Sequence, residues 1–228
     1  MNWLRKTIQQ SPLSARVAPF FVFVGLMVAQ PGGGEAGAYW LYLARTIAGA
    51  WTLWMARPVI TEFRWAFSWE AVAVGIVVCA MWIGIDGCYY HIGAKESAQS
   101  ASQFWNPMRQ FGEGSILAWF FIIVRIAGSS LVVPPIEELF YRSFLYRYIV
   151  NQDFMKVALS QFGWAPFLAT SLIFGFEHSQ WLAGILCGFA YQWLVIRKGR
   201  LGDAITAHAI TNFLLGVWVV WRCDWKFW

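Results

Sequence analysis

Three clusters of polar side chains stand inside stretches that otherwise read as hydrocarbon-soluble: Glu137 and Glu138 with Arg142, His178 four residues after Phe174, and His208 with Asn212. An ionisable side chain at the centre of a bilayer costs roughly 2.5–3.5 kcal/mol on insertion scales, so such residues are by default retained for a function. On a helix Glu138 and Arg142 share a face and pair in the favourable order, acid before base. Glu137 points about 100° away from Glu138. One glutamate is thereby held by the arginine while the other stays free to react. His208 and Asn212 are also four apart and offer two hydrogen bonds to a single point; Phe174 and His178 share a face likewise. A carboxylate can take a proton from water, a histidine can orient that water, and a second histidine with an asparagine can hydrogen-bond the oxyanion formed when water attacks an amide. The competing readings are a Glu138–Arg142 clasp with Glu137 as a bystander, and helix-to-helix ties by His208 and Asn212 worth roughly 0.6–2 kcal/mol apiece. Glutamate and histidine also bind zinc, but no H-E-x-x-H is present and no helix carries a ready ligand triad. Metal is therefore not favoured, and no cofactor is expected.

These residues need helices to position them. The chain of 228 residues is 59% hydrophobic and only 13% charged, against about 25% charged in soluble domains. That composition implies an all-α, polytopic membrane bundle built as a single domain over residues 1–228. A β-barrel would need alternating polarity, which these segments lack. About eight membrane segments are expected, at residues 17–29, 38–56, 69–85, 115–133, from Ile136 onward, 164–178, 181–196 and 203–221, although several are short for the usual 17–25 residues. Pro134 and Pro135 cannot donate backbone hydrogen bonds, so a helix is expected to start near Ile136. If that helix crosses, the following spans return His178, and then His208 and Asn212, to the same half of the membrane.

The rest of the chain frames that bundle. Arg5, Lys6 and Arg16 precede the first apolar run, which fits a retained anchor as well as a signal peptide. Residues 30–37, with Pro31 and its glycines, form a turn. Arg45 reads as a snorkelling or helix-facing arginine. Arg125 neutralises a site glutamate or pairs with Asp86. Residues 87–114, including His91, Lys95 and Glu96, form an extramembrane loop with room for an interfacial helix, and His91 there is a solvated histidine. Asp203 is placed to cap the last helix. The formal charge of +5 is spread in ones to threes, as expected of flanks facing anionic lipid, so the partners implied are the bilayer and not nucleic acid. Cys79, Cys88, Cys187 and Cys223 show no metal or redox spacing and read as apolar fillers, with a disulfide between Cys88 and Cys223 left open.

Taken as a set and in this order, the E-E-x-x-x-R of Glu137 to Arg142, the F-x-x-x-H ending at His178 and the H-x-x-x-N of His208 to Asn212 resemble the three motifs of the CPBP (Abi) intramembrane proteases, which include the type II CAAX prenyl endopeptidases. The resemblance covers about residues 131–220, the expected catalytic core. It implies a glutamate-type endopeptidase in which Glu137 activates water with His178, His208 and Asn212 form the oxyanion site, and Glu138 with Arg142 supports the architecture. The implied substrate is a membrane-anchored or lipidated protein. Trp82, Ile83, Gly84, Ile85 and Asp86 further resemble bacterial CAAX-protease-related proteins found with exosortase systems, which implies exosortase-system partners and a bacterial inner membrane.

Overall fold

The computed structural model describes residues 2–29, 34–92 and 105–228, and every regular element among them is helical. A short amphipathic helix, α1 (Asn2–Gln9), precedes α2 (Pro12–Ala29), α3 (Gly34–Ala56) and α4 (Trp69–Ile85). Beyond α5 (Pro107–Phe111) come one long helical run, α6 (Ile116–Val150), and then α7 (Trp164–Phe176), α8 (Trp181–Lys198) and α9 (Gly202–Arg222). Among the described residues three stretches are long and apolar enough to cross a membrane: Trp69–Cys88, Ile116–Val150 and Gly202–Arg222. Pro12–Val28 and Trp164–Phe176 are apolar but shorter. Lys95, Glu96 and residues 30–33 of the expected turn lie outside the described residues, whereas residues 34–37 are not a loop but the first helical turn of α3.

The helix expected to start near Ile136 does not start there. Residues 115–133 and the segment after them form a single helix of 35 residues that runs over both prolines. It does so by widening: Gly128–Val132 and Leu139–Leu145 are π-helical, the local expansion that commonly accompanies functional sites. Val133 N–H bonds back five residues to the Gly128 carbonyl, and Pro134 and Pro135 have no N–H to give. The Ser129 carbonyl is thus left without a donor from its own helix. Asn212 on α9 supplies one, its Nδ2 donating to Ser129 O over 2.8 Å. Where no water is at hand, a neighbouring helix must satisfy such a freed carbonyl. At 1.5 Å per residue α6 is about 52 Å long, well beyond a hydrocarbon layer of about 30 Å. A helix of that length spans such a layer only if it tilts or projects beyond it.

Small residues let the neighbouring helices close in. A Cβ on Gly75 would lie 2.7 Å from the Ala207 carbonyl, so α4 and α9 pack backbone to backbone, and the Thr211 hydroxyl donates to the Gly75 carbonyl over 3.0 Å. Gly175 on α7 meets Gly184 and Ile185 on α8 in the same way, with no room for a side chain. At the basic turn Arg197 and Lys198 pair with Glu70 at the start of α4, and Arg200 pairs with Asp203. Asp203 is not the cap expected of it: Leu201 holds that position, while Asp203 sits in the first turn and accepts a hydrogen bond from Ser68.

At the far end of α6 a second charged cluster closes the bundle. Glu62, in the connection between α3 and α4, accepts from Arg16 Nη2 at 2.6 Å and Arg147 Nη2 at 2.8 Å, and from the Ser143 hydroxyl. Arg16 is fully buried. All four cysteines are free thiols, Cys79 and Cys187 buried and Cys88 and Cys223 exposed, so the disulfide left open by the sequence does not form. His91 is not a lone solvated histidine; its Nε2 lies 2.9 Å from the Asp86 carbonyl and 3.3 Å from the Asp86 carboxylate.

Candidate active site

A cavity of about 350 Å³ opens between α2, α3, α4, α6, α7 and α9, and Glu137, Glu177, His178, His208 and Asn212 all line it. The six motif residues split into two layers. Glu137, His178, His208 and Asn212 face the cavity, whereas Glu138 and Arg142 stand behind them, 0% and 2% exposed.

The rear layer orients the front one. Glu138 accepts from His208 Nδ1 at 3.0 Å through one oxygen, while its other oxygen lies 3.3 Å from Arg142 Nε. Glu138 is thus the link between the α6 arginine and the α9 histidine. Two rings hold His208 further: Tyr191 stacks on it at 5.0 Å and Phe174 approaches edge-on at 6.0 Å. With Nδ1 committed to a carboxylate, Nε2 is the atom left to face the cavity, and it lies 3.9 Å from Glu137 Oε2.

His178 is fixed by the turn that ends α7. Its Nδ1 lies 2.9 Å from the Phe174 carbonyl, and because a carbonyl can only accept, Nδ1 carries the proton and Nε2 keeps its lone pair. Trp82 packs edge-on against the ring at 5.4 Å. The Phe174 ring serves three partners, with the Arg142 guanidinium 4.4 Å from its centre and both histidines at its edges. Nothing in the F-x-x-x-H spacing foretold the arginine contact.

Asn212 departs from its expected pairing with His208. Both border the cavity, but the Asn212 amide is turned to Ser129 and His208 to the glutamates. One Asn212 N–H remains for a ligand, since the amide group has two.

Glu177 lies at the end of α7, on the cavity wall and within electrostatic reach of Glu137 and Tyr141. Tyr191 had no sequence signal at all, being a tyrosine in an apolar helix; its hydroxyl donates to Thr211 at 2.7 Å while its ring carries His208. Arg125 makes neither of the pairs expected of it. Asp86 is taken by Lys226 and His91, and the Arg125 guanidinium lies over the rings of Tyr42 and Trp105 instead. Among the described residues no group of three or more His, Cys, Asp or Glu side chains is placed to hold a metal ion.

Comparison with known proteins adds one finding. No curated protein and no solved structure matches the chain. From residue 115 to residue 214, a stretch that takes in all three motifs, the sequence matches the family model described as type II CAAX prenyl endopeptidase Rce1-like, and the resemblance to the CAAX-type membrane proteases is thereby borne out.

Proposed function

We propose that this chain is an intramembrane, glutamate-type endopeptidase that hydrolyses a peptide bond of a membrane-anchored or lipidated protein. The observation that carries this reading is the gathering of Glu137 from α6, His178 from the turn after α7, and His208 and Asn212 from α9 around one cavity within the apolar bundle. Glu137 takes the proton of a water as that water attacks the scissile carbonyl, and passes it to the leaving amine. His178 Nε2, unprotonated, accepts the water's second hydrogen bond and aims its lone pair. His208 Nε2 donates to the oxyanion from a ring that has taken its second proton from solvent before the attack, a form whose charge the Glu138 carboxylate balances at Nδ1 and which is returned unchanged when the oxyanion collapses. The free N–H of Asn212 is the second donor. Glu138 and Arg142 touch no reacting atom and act by positioning His208.

The same reading makes the chain a multi-pass protein of a bacterial inner membrane. In this reading α2, α3, α7 and α8 cross the bilayer beside the three long stretches, and fusion of two expected segments into α6 reduces about eight to seven. Exosortase-system proteins are the proposed source of partners or substrates.

The test is turnover of a farnesylated CAAX peptide by detergent-purified protein. Glu137→Gln and His178→Ala are each expected to lower turnover by roughly 10²-fold or more, in line with loss of a general base or its orienting group. Unchanged turnover in both excludes the assigned roles. A second reading, a non-catalytic scaffold that holds a substrate tail in the same cavity, predicts that Glu137→Gln keeps full function in cells.

A further inference from the structure

The cavity that holds Glu137 is also lined by two arginines, Arg45 of α3 and Arg125 of α6. Arg45 is 6% exposed, and its Nε and Nη1 are buried without a hydrogen-bond partner. Among the described residues neither guanidinium has a carboxylate within ion-pair distance, whereas Glu62, Glu70, Glu138, Asp86 and Asp203 are each paired with a cation. The two cations lie close enough to repel each other. What surrounds them is aromatic: both guanidinium carbons lie 4.5 Å from the centre of the Tyr42 ring, Arg45 also approaches Phe23 and Arg125 also approaches Trp105. Ring faces attract cations but carry no net charge, so two like charges remain uncompensated in a low-dielectric wall. Arg45 does not reach the surface to discharge that cost by snorkelling. A bound anion is the group that would.

Position selects the anion. Arg125 and Glu137 lie on the same helix, twelve residues apart, or about 18 Å of rise. Their side chains reach into one cavity from the two ends of that interval. An extended peptide advances about 3.3–3.6 Å per residue, so roughly five residues bridge the water-activating carboxylate and the arginine pair. We propose that Arg45 and Arg125 form an anion subsite that binds the C-terminal carboxylate of the substrate peptide and so counts the scissile bond from the chain's end. The aromatic rings fix the guanidinium planes, and the planar forks suit a bidentate carboxylate. This subsite rests on the peptidase reading for its substrate; its binding chemistry can be measured without turnover.

The probe is a fluorescent farnesylated CAAX peptide, made as the free acid and as its C-terminal amide, titrated into the Glu137→Gln protein in neutral detergent. The free acid is expected to bind roughly tenfold or more tightly than the amide. Arg45→Gln and Arg125→Gln each bring that ratio toward one, and Arg125→Lys restores part of it. Acid and amide are also compared as substrates of the unaltered protein, which needs no variant to fold. Acid-selective binding without turnover in the unaltered protein keeps the subsite and removes the peptidase. Turnover without acid preference removes the subsite and keeps the peptidase. Equal or absent binding of the two peptides overturns the proposal, as does an anionic phospholipid that co-purifies with the unaltered protein, is lost in both glutamine variants and leaves no acid preference.

Discussion

The Asn212 side chain donates to the Ser129 carbonyl across 2.8 Å, and that oxygen is free because Val133 N–H is taken by the Gly128 carbonyl and Pro134, five residues after Ser129, has no N–H to give. The third motif and the proline pair ahead of the first motif are therefore one structural unit. Asn212→Ala is expected to destabilise the protein by about 1–3 kcal/mol, the cost of a buried unsatisfied carbonyl. In a Pro134→Ala background, where residue 134 regains an N–H, the loss shrinks, with a coupling of about 0.5–1.5 kcal/mol in a double-mutant cycle. Chemical unfolding in detergent measures both; strict additivity of the two substitutions breaks the proposed link.

Glu62 predicts an acid limb to stability. Burial alone would raise its pKa, but the hydrogen bonds from Arg16 and Ser143 and the Arg16 charge outweigh that and hold it at about 2, against an ordinary value of 4.5. A depressed carboxylate stabilises the fold above its unfolded pKa and loses that contribution as pH falls. Stability on the order of 3 kcal/mol is therefore expected to disappear between about pH 4.5 and pH 2. Glu62→Gln should abolish this limb and cost about 3–5 kcal/mol at neutral pH, because Arg16 and Arg147 are left buried without their partner. Unfolding midpoints measured across that pH range decide it, and an unchanged acid limb in the variant assigns the effect elsewhere.

Gly175 tests whether the α7–α8 crossing sets the place of His178. An added Cβ meets the Ile185 backbone and side chain. Gly175→Ala should cost on the order of 1–3 kcal/mol through overpacking, and should also lower turnover, since the end of α7 carries His178. A thermal shift together with steady-state kinetics reads both. A stable variant with full turnover shows that the crossing has slack.

Chelation separates the two chemistries that glutamate and histidine allow. With Glu137 as the base, turnover of the CAAX peptide should survive EDTA and 1,10-phenanthroline unchanged. Loss of activity on chelation, restored by added zinc, replaces the glutamate mechanism with a metal-dependent one.

What could be read from the chain alone was the geometry within a single helix. The four-residue spacing of Glu138 and Arg142 brings them face to face whatever else the fold does, and Arg142 Nε lies 3.3 Å from Glu138 Oε2. The same spacing kept His208 and Asn212 on one side of α9, and the apolar composition required helices. Partners across helices were beyond that reasoning. His208 meets Glu138, 70 positions earlier; Thr211 reaches Gly75; Arg16 joins Glu62 and Ser143. Which glutamate a histidine meets depends on helix crossings, and those depend on whether a glycine lets two backbones touch. The prolines mislead for a related reason. Their local rule, that a helix begins near them, holds where nothing else satisfies the freed carbonyl. Here α9 supplies a donor from 83 positions away, so the helix continues and Glu137 stands in the middle of α6 instead of at the head of a separate span. Local periodicity decided which side chains share a face; long-range packing decided what each face meets, because only the assembled bundle balances the backbone and charge deficits that a single helix leaves open.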